Sequence, residues 1–360
     1  MAAAGSTLGI GTFGLATAPM RISFGSGALQ HVPELLDEAG LRRILVLSTP
    51  RTGDLDGRLP ALLGHRFEGL CTEAREHVPE SVVRQASQTA AAAGADGCLA
   101  IGGGSVIGLA KALALRDGLP YVAVPTSYAG SEMTPIWGVT HEGRKRTGRS
   151  PSVHPRAVAY DVDLTLSLPV PTSVASAMNA IAHAAEAIYA PDTSPFISML
   201  AEEAVRRIVA ALPRIAAEPT DAHARSDALY GAWLAGICLG STTMSLHHKL
   251  CHVLGGTLDL PHAQTHTVVL PHVLAFNAQA AHSHLAPLAE ALHTTNPASA
   301  LQQLAWRLGA PRSLRELGMH ARDLDAIASA VLAEPYANPR PVDRDGVDAV
   351  LRSAFDGLPV

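Results

Sequence analysis

The run 97–111 reads GCLAIGGGSVIGLAK, and its reading decides the fold. Gly97 to Ile101 is a short apolar run, three glycines follow, and from Ser105 onward the apolar residues recur at helical spacing. That is a strand, a glycine turn and a helix start. Gly102, Gly103 and Gly104 let the backbone approach a pyrophosphate, Ser105 either caps the helix or donates to phosphate, and the helix N-terminus favours negative charge. The turn is not GxGxxG, since position 107 is Ile, and a glycine turn after a strand also serves as a plain connection.

The flanks repeat the same alternation. Upstream, 21–25 is a strand, 31–39 a helix, 44–48 a buried strand and 81–93 an Ala-rich helix. The strand 44–48 ends in Ser48-Thr49-Pro50-Arg51, where a nucleotide-binding sheet reads the ribose. No Asp or Glu stands there to clamp a 2′-hydroxyl, and Arg51 is of the right charge for a 2′-phosphate. Downstream, the strand 121–125 delivers Thr126, Ser127 and, further along the loop, Thr134, small hydroxyl residues that form a second anion-facing lip or act simply as turn formers. At Leu168-Pro169 the pattern changes to helices, among them 174–190, 195–211 and 221–246. The expectation is an α/β N-terminal nucleotide-binding domain, Rossmann-like, over 1–165 and an all-α C-terminal domain over 166–360.

Composition bounds the partners. A chain of 360 residues with 48% hydrophobic residues builds two cores, and 4% aromatics make a poor stacking platform for nucleic acid. The formal charge is −5, and the one short basic group is Arg144-Lys145-Arg146, so neither nucleic acid nor membrane is an expected partner. The first twenty residues lack the positive start of a signal peptide, and no apolar run reaches membrane-spanning length. Four cysteines without a CxxC pair fit a reducing compartment, and a soluble cytoplasmic protein is expected.

The second dense stretch is 247–272, HHKLCHVLGGTLDLPHAQTHTVVLPH, which holds His247, His248, His252, His262, His266 and His272. His248 and His252 are four apart and share a helix face; Gly255-Gly256 is expected to break that helix, and His262 returns after Pro261. Such a cluster suits a divalent metal or an acid/base array near neutrality. Asn179 and His183 are also four apart on a helix, with Glu186 one turn further.

Taken in order, GGGSVIGLAKALAL (102–115), PTSYAGSEMTPIWGVT (125–140), GRKRTGR (143–149), AYDVDLTLSLP (159–169), MNAIAHAAEAIYA (178–190) and the histidine stretch resemble the iron-containing alcohol dehydrogenase superfamily, with its dehydroquinate-synthase-like fold, and within it the maleylacetate reductases. The resemblance implies NADH or NADPH across Gly102 to Ser105, Thr126, Ser127 and Thr134, with Lys145 near a ribose, and a homodimer. It puts the iron enzymes' metal positions on Asn179, His183, His248 and His262, with Asn where the family has Asp. A neutral amide in place of a carboxylate lowers metal affinity, so a metal is not expected to be required; if one binds, His183, His248 and His262 are its ligands. The implied substrate is a small dicarboxylate enone, maleylacetate or a substituted relative. His248 and His252 are the expected proton and oxyanion donors, with His183, His262 and Asn179 completing the pocket, and Arg149 and Lys249 are candidates for the carboxylates. A metal-dependent alcohol or hydroxy-acid dehydrogenase of the same superfamily is the alternative.

Overall fold

The computed structural model describes Phe13, Leu15 and residues 20–50, 57–141 and 144–360, the side chains of Arg144 and Lys145 excepted. Arg51 lies outside the described residues.

The described strands are β1 (Arg21–Gly25), β2 (Ile44–Leu47), β3 (Phe67–Cys71), β4 (Gly97–Gly102), β5 (Tyr121–Pro125), β6 (Ile136–His141), β7 (Arg144–Arg149) and β8 (Ala157–Asp161). Six form one parallel sheet in the order β1-β8-β5-β4-β2-β3, while β6 and β7 make an antiparallel hairpin. β2, β4, β5 and β8 are buried at every position, the mark of parallel strands covered on both faces. Leu45, Leu47, Ala100 and Ala123 pack into one core and Ile44, Val46, Ile101 and Val124 into the other, which follows from the two-residue period of a strand. Helices α1 (Val32–Glu38), α2 (Leu59–Leu63), α3 (Glu80–Ala93) and α4 (Gly104–Asp117) accompany the sheet. The chain leaves β2 for β3 on one side, returns to β4 on β2's other side and continues to β5. Neighbouring strands whose connections diverge in this way open a ligand crevice at their carboxyl ends.

From Val170 onward the chain is helical: α5 (Val170–Ile188), α6 (Pro195–Ala217), α7 (Ala222–Ser241), α8 (Leu246–Leu258), α9 (His262–Asn277), α10 (Ala286–Ala291), α11 (Pro297–Arg307), α12 (Leu324–Leu332) and α13 (Arg344–Asp356). The sequence expectation of one helix over 221–246 is corrected by an interruption at Thr242–Ser245, where Thr243 bonds the Asp192 carboxylate through both its amide and its hydroxyl, each at 2.8 Å. Gly255 and Gly256 do not end the next helix. They lie inside α8, which stops at Asp259 in the left-handed region (φ 54°) ahead of Pro261. A glycine inside a helix costs only about 1 kcal/mol.

Three devices weld the halves. Arg225 of α7 is fully buried and donates to the Pro219 and Leu168 carbonyls (both 2.9 Å), the Ser173 hydroxyl (2.6 Å) and the Tyr128 hydroxyl (3.1 Å). Tyr128 belongs to the loop after β5, so one guanidinium ties that loop to α5 and α7. The same loop lies directly on α7: a Cβ at Gly236 would sit 2.6 Å from the Gly130 carbonyl oxygen, and one at Gly240 2.5 Å from that of Met133. Finally, the segment Glu76-His77-Val78 reaches the α8–α9 turn. Glu76 accepts from the His262 amide at 3.0 Å, and the His77 ring faces the Asp259 carboxylate at 3.4 Å. His77 (φ 61°) and Val78 (φ 48°) both hold left-handed backbone, an outlier for a β-branched residue.

Arg225→Met is expected to leave two carbonyls and two hydroxyls without their cation in a dry seam and to lower unfolding free energy by about 3 kcal/mol or more. Urea unfolding followed by circular dichroism checks this; a loss under about 1 kcal/mol would remove Arg225 from the seam's energetics.

Candidate active site

The first lip of the crevice is the turn from β4 into α4. Gly102 (φ 158°) leaves no room for a side chain, because a Cβ there would lie 2.4 Å from Val106, and a Cβ at Gly103 would lie 2.9 Å from the Ser127 hydroxyl. The glycine turn and the Thr126-Ser127 turn are therefore in contact, and Thr126 donates its amide to the Gly102 carbonyl at 3.1 Å. The α4 cap is Gly103 and no side chain caps it, so Ser105 does not take the capping role. An uncapped helix N-terminus behind close-packed glycines fits the phosphates of a dinucleotide.

Thr134 stands differently from Thr126 and Ser127. It is buried, and its hydroxyl accepts from Lys111 Nζ at 2.8 Å and donates to the Ser131 carbonyl at 3.0 Å. Lys111, also buried, donates to the Ser131, Thr134 and Ile136 carbonyls at 2.6, 2.9 and 2.7 Å. Burial pulls its ammonium down to about 7, against the opposing pull of Glu132. Lys111 and Thr134 thus hold the second lip in shape from behind. The side chain of Lys145 lies outside the described residues.

Across the crevice, α5, α8 and α9 bring five of the six clustered histidines together with His183. His183 Nδ1 and His248 Nε2 are 2.8 Å apart, and His247 Nε2 and His266 Nδ1 are 2.9 Å apart. Ring centroids lie 6.1 Å apart for His248 and His252 and 4.4 Å for His262 and His266. His183, His247, His248 and His266 are buried, whereas His252 and His262 are half-buried. His272 stands apart, and burial brings it down to about 4.

What orders the array is Glu186, fully buried on α5. Its carboxylate accepts from the amides of Ser245 (3.1 Å), His247 (2.9 Å) and His248 (3.3 Å) and from His248 Nδ1 (2.6 Å). No residue of α8 caps its own N-terminus, and this anion does so from another helix. A carboxylate only accepts, so His248 carries hydrogen on Nδ1 and turns Nε2 to His183. Asn179 is buried, and its Oδ1 has no partner.

The positions corresponding to the iron site do not fit a resident iron. Asn179, His183, His248 and His262 supply a neutral amide and three imidazoles with no carboxylate among them. Among the described residues, the three donors that draw within 4.8 Å of one another are instead His247, Cys251 and His266. The two cations expected to meet substrate are engaged elsewhere: Arg149 donates to the Gly240 carbonyl at 2.6 Å, closing the end of α7, and Lys249 pairs with Glu334 at 3.4 Å. Arg225, Lys111, Glu76 and the capping role of Glu186 were not read from sequence; a lone Lys or Arg on an otherwise apolar helix face was the available signal for the first two.

Two family descriptions match the chain: iron-containing alcohol dehydrogenase over residues 19–162, and the C-terminal region of the Fe-containing alcohol dehydrogenase family over 173–355. A maleylacetate reductase of Sphingobium indicum is 50% identical over 341 residues, covering 95% of this chain and 97% of that protein. The crystal structure of maleylacetate reductase from a Rhizobium species is 49% identical with a TM-score of 0.92, covering 97% of this chain and 99% of that one. That of a putative alcohol dehydrogenase from Ralstonia eutropha is 47% identical with a TM-score of 0.95, covering 97% and 99%.

Burial first, and neighbouring histidines second, hold His183, His247 and His266 well below the ordinary histidine value of 6.5. The unfolded chain takes up these protons near pH 6.5 while the folded chain does not, so stability is lost as pH falls below that point. Each of the three adds up to about 1.4 kcal/mol per pH unit. Urea midpoints are expected to fall steeply from about pH 6.5 to 5, with a steeper slope than the one that the depressed Lys111 ammonium leaves above about pH 7; a level profile from about pH 6.5 to 5 would mean the array is not held neutral.

Proposed function

The chain belongs to the iron-containing alcohol dehydrogenase family, and within it we infer the reaction: it is an oxidoreductase that reduces the enone of maleylacetate to 3-oxoadipate. Kinship over nearly the whole length with maleylacetate reductases carries this reading. The finer assignments are ours. We propose NADH or NADPH as the reductant, with 1–165 as the cofactor domain, 166–360 as the catalytic one, and a cytoplasmic homodimer as the working unit. Among the described residues no helix is long and apolar enough to cross a membrane.

Gly102, Gly103, Gly104, Ser105, Thr126 and Ser127 would hold the dinucleotide, with Lys145 beside its ribose and Thr134 as the support behind. When bound, the reduced nicotinamide supplies a hydride. Maleylacetate accepts it at the alkene carbon beta to the ketone, charge gathers on the ketone oxygen as an enolate, and the alpha carbon takes a proton. The residues must therefore stabilise an oxyanion and deliver one proton.

The array is built for both tasks. Glu186 fixes His248 with Nδ1–H toward the carboxylate, and Nε2 is hydrogen-bonded to His183. Half-buried His252 and His262 stand at the rim of this pair, and Asn179, whose Oδ1 is an unpartnered acceptor, would meet a substrate oxygen through its amide N–H. We propose that this works without a metal at the iron positions. A donor set of one amide and three imidazoles with no carboxylate at the iron positions supports that reading, and the imidazole N–H groups take the polarising role.

EDTA-treated protein is expected to oxidise NADH or NADPH with maleylacetate at an undiminished rate, followed by nicotinamide absorbance. Turnover that vanishes with chelation and returns with iron or zinc would reverse the metal assignment. His248→Ala is expected to lower kcat by about two to four orders of magnitude with the fold intact by circular dichroism; an unchanged kcat would remove the relay from the chemistry.

A further inference from the structure

Behind the pair His183–His248 lies a second set of donors that the reaction does not use. His247 and Cys251 are one turn apart on the inner face of α8, and His266 comes from α9. All three are buried, and their donor atoms lie within 4.8 Å of one another. His247 Nε2 faces His266 Nδ1 at 2.9 Å and Cys251 Sγ at 3.8 Å. A tetrahedral zinc with bonds of 2.0–2.1 Å to nitrogen and 2.3 Å to sulfur sets its ligands roughly 3.3 Å (N to N) and 3.6 Å (N to S) apart. The imidazoles need to part by a few tenths of an ångström, and the thiol to close by about 0.2 Å on His247 and by up to about 1.2 Å on His266.

We propose that His247, Cys251 and His266 form a coordination site for a thiophilic divalent cation of the zinc class, separate from the positions that hold iron in the family. The far nitrogens of the two rings, His247 Nδ1 and His266 Nε2, are buried without hydrogen-bond partners. They are free to carry the ring hydrogens, which turns both near lone pairs to an ion. Charge is balanced as well. The Cys251 thiol releases its proton to solvent on coordination, and the resulting thiolate with the buried Glu186 carboxylate, which bonds the His247 amide, offsets a double positive charge. Entry is from the crevice past half-buried His262, whose ring lies against His266.

Coordination does not depend on the assigned reaction. Its consequence for turnover does: an ion here ties His266, which packs at 5.0 Å from the His248 ring, to α8 and stiffens the array.

The test is a cadmium titration of chelator-stripped full-length protein, read by ultraviolet thiolate-to-metal charge-transfer absorbance and by proton release in weak buffer. One equivalent is expected to complete the band, with about one proton released per ion. The band is expected to vanish in Cys251→Ala and to persist in Cys238→Ala and in His183→Ala. No band in the wild-type chain, or a band that survives in Cys251→Ala, would overturn the site. Should Cys251→Ala fail to fold by circular dichroism, His266→Gln serves in its place, with loss of the one-equivalent endpoint expected. Neither readout involves turnover, so failure here leaves the reductase assignment to its own assay.

Discussion

The site depends on one buried anion. Glu186 replaces the missing cap of α8, and the carboxylate that starts the helix is the one that orients His248. An uncompensated carboxylate in a dry interior costs several kcal/mol, so its position is over-determined by four donors from three consecutive-turn residues. The helix start, the register of α8 against α5 and the tautomer of the first histidine are consequently a single constraint. A shift of α8 by one residue would leave the carboxylate bare.

From that anchor the histidines extend as rings in contact, with burial favouring the neutral form of His183, His247 and His266. Neutral imidazoles in van der Waals and hydrogen-bond contact can be packed at a density that the same number of imidazoliums cannot, because like charges a few ångströms apart in a low dielectric repel strongly. His248 is the ring whose Nδ1–H the Glu186 carboxylate holds, which fixes where its Nε2 points. The opposite wall has the converse logic: glycines at the β4–α4 turn remove side chains, and Lys111 fixes the neighbouring loop through its carbonyls without presenting a charge to the crevice.

Much of this was legible in the chain. Apolar runs of four to six residues are the signal for β1, β2, β4 and β5, whereas β3, β8 and the β6–β7 hairpin are not read from the sequence. The i, i+4 spacings of Asn179 with His183 and His248 with His252 gave helix faces, since 3.6-residue geometry leaves no other choice. The helix boundaries around the site were less legible. The stop at Asp259 and the interruption at Thr242–Ser245 are set by contacts with His77, Asp192 and Glu186, residues from 51 to 182 positions away. Local propensity carries no record of such partners. The partners that Arg149 and Lys249 hold, the Gly240 carbonyl and Glu334, are likewise distant in sequence.

The seam between the halves sets how this architecture diversifies. Arg225 is meaningful only with Tyr128 across the joint, and Gly236 and Gly240 only with the loop backbone of 130–134 laid on them. The two halves are therefore not interchangeable modules. A chimera that borrowed the helical half of a relative would import a guanidinium looking for a phenol and a glycine groove looking for a loop of one shape, so recombination across 165–170 succeeds only between parents that share this joint, and change in substrate range is channelled into the crevice lining instead.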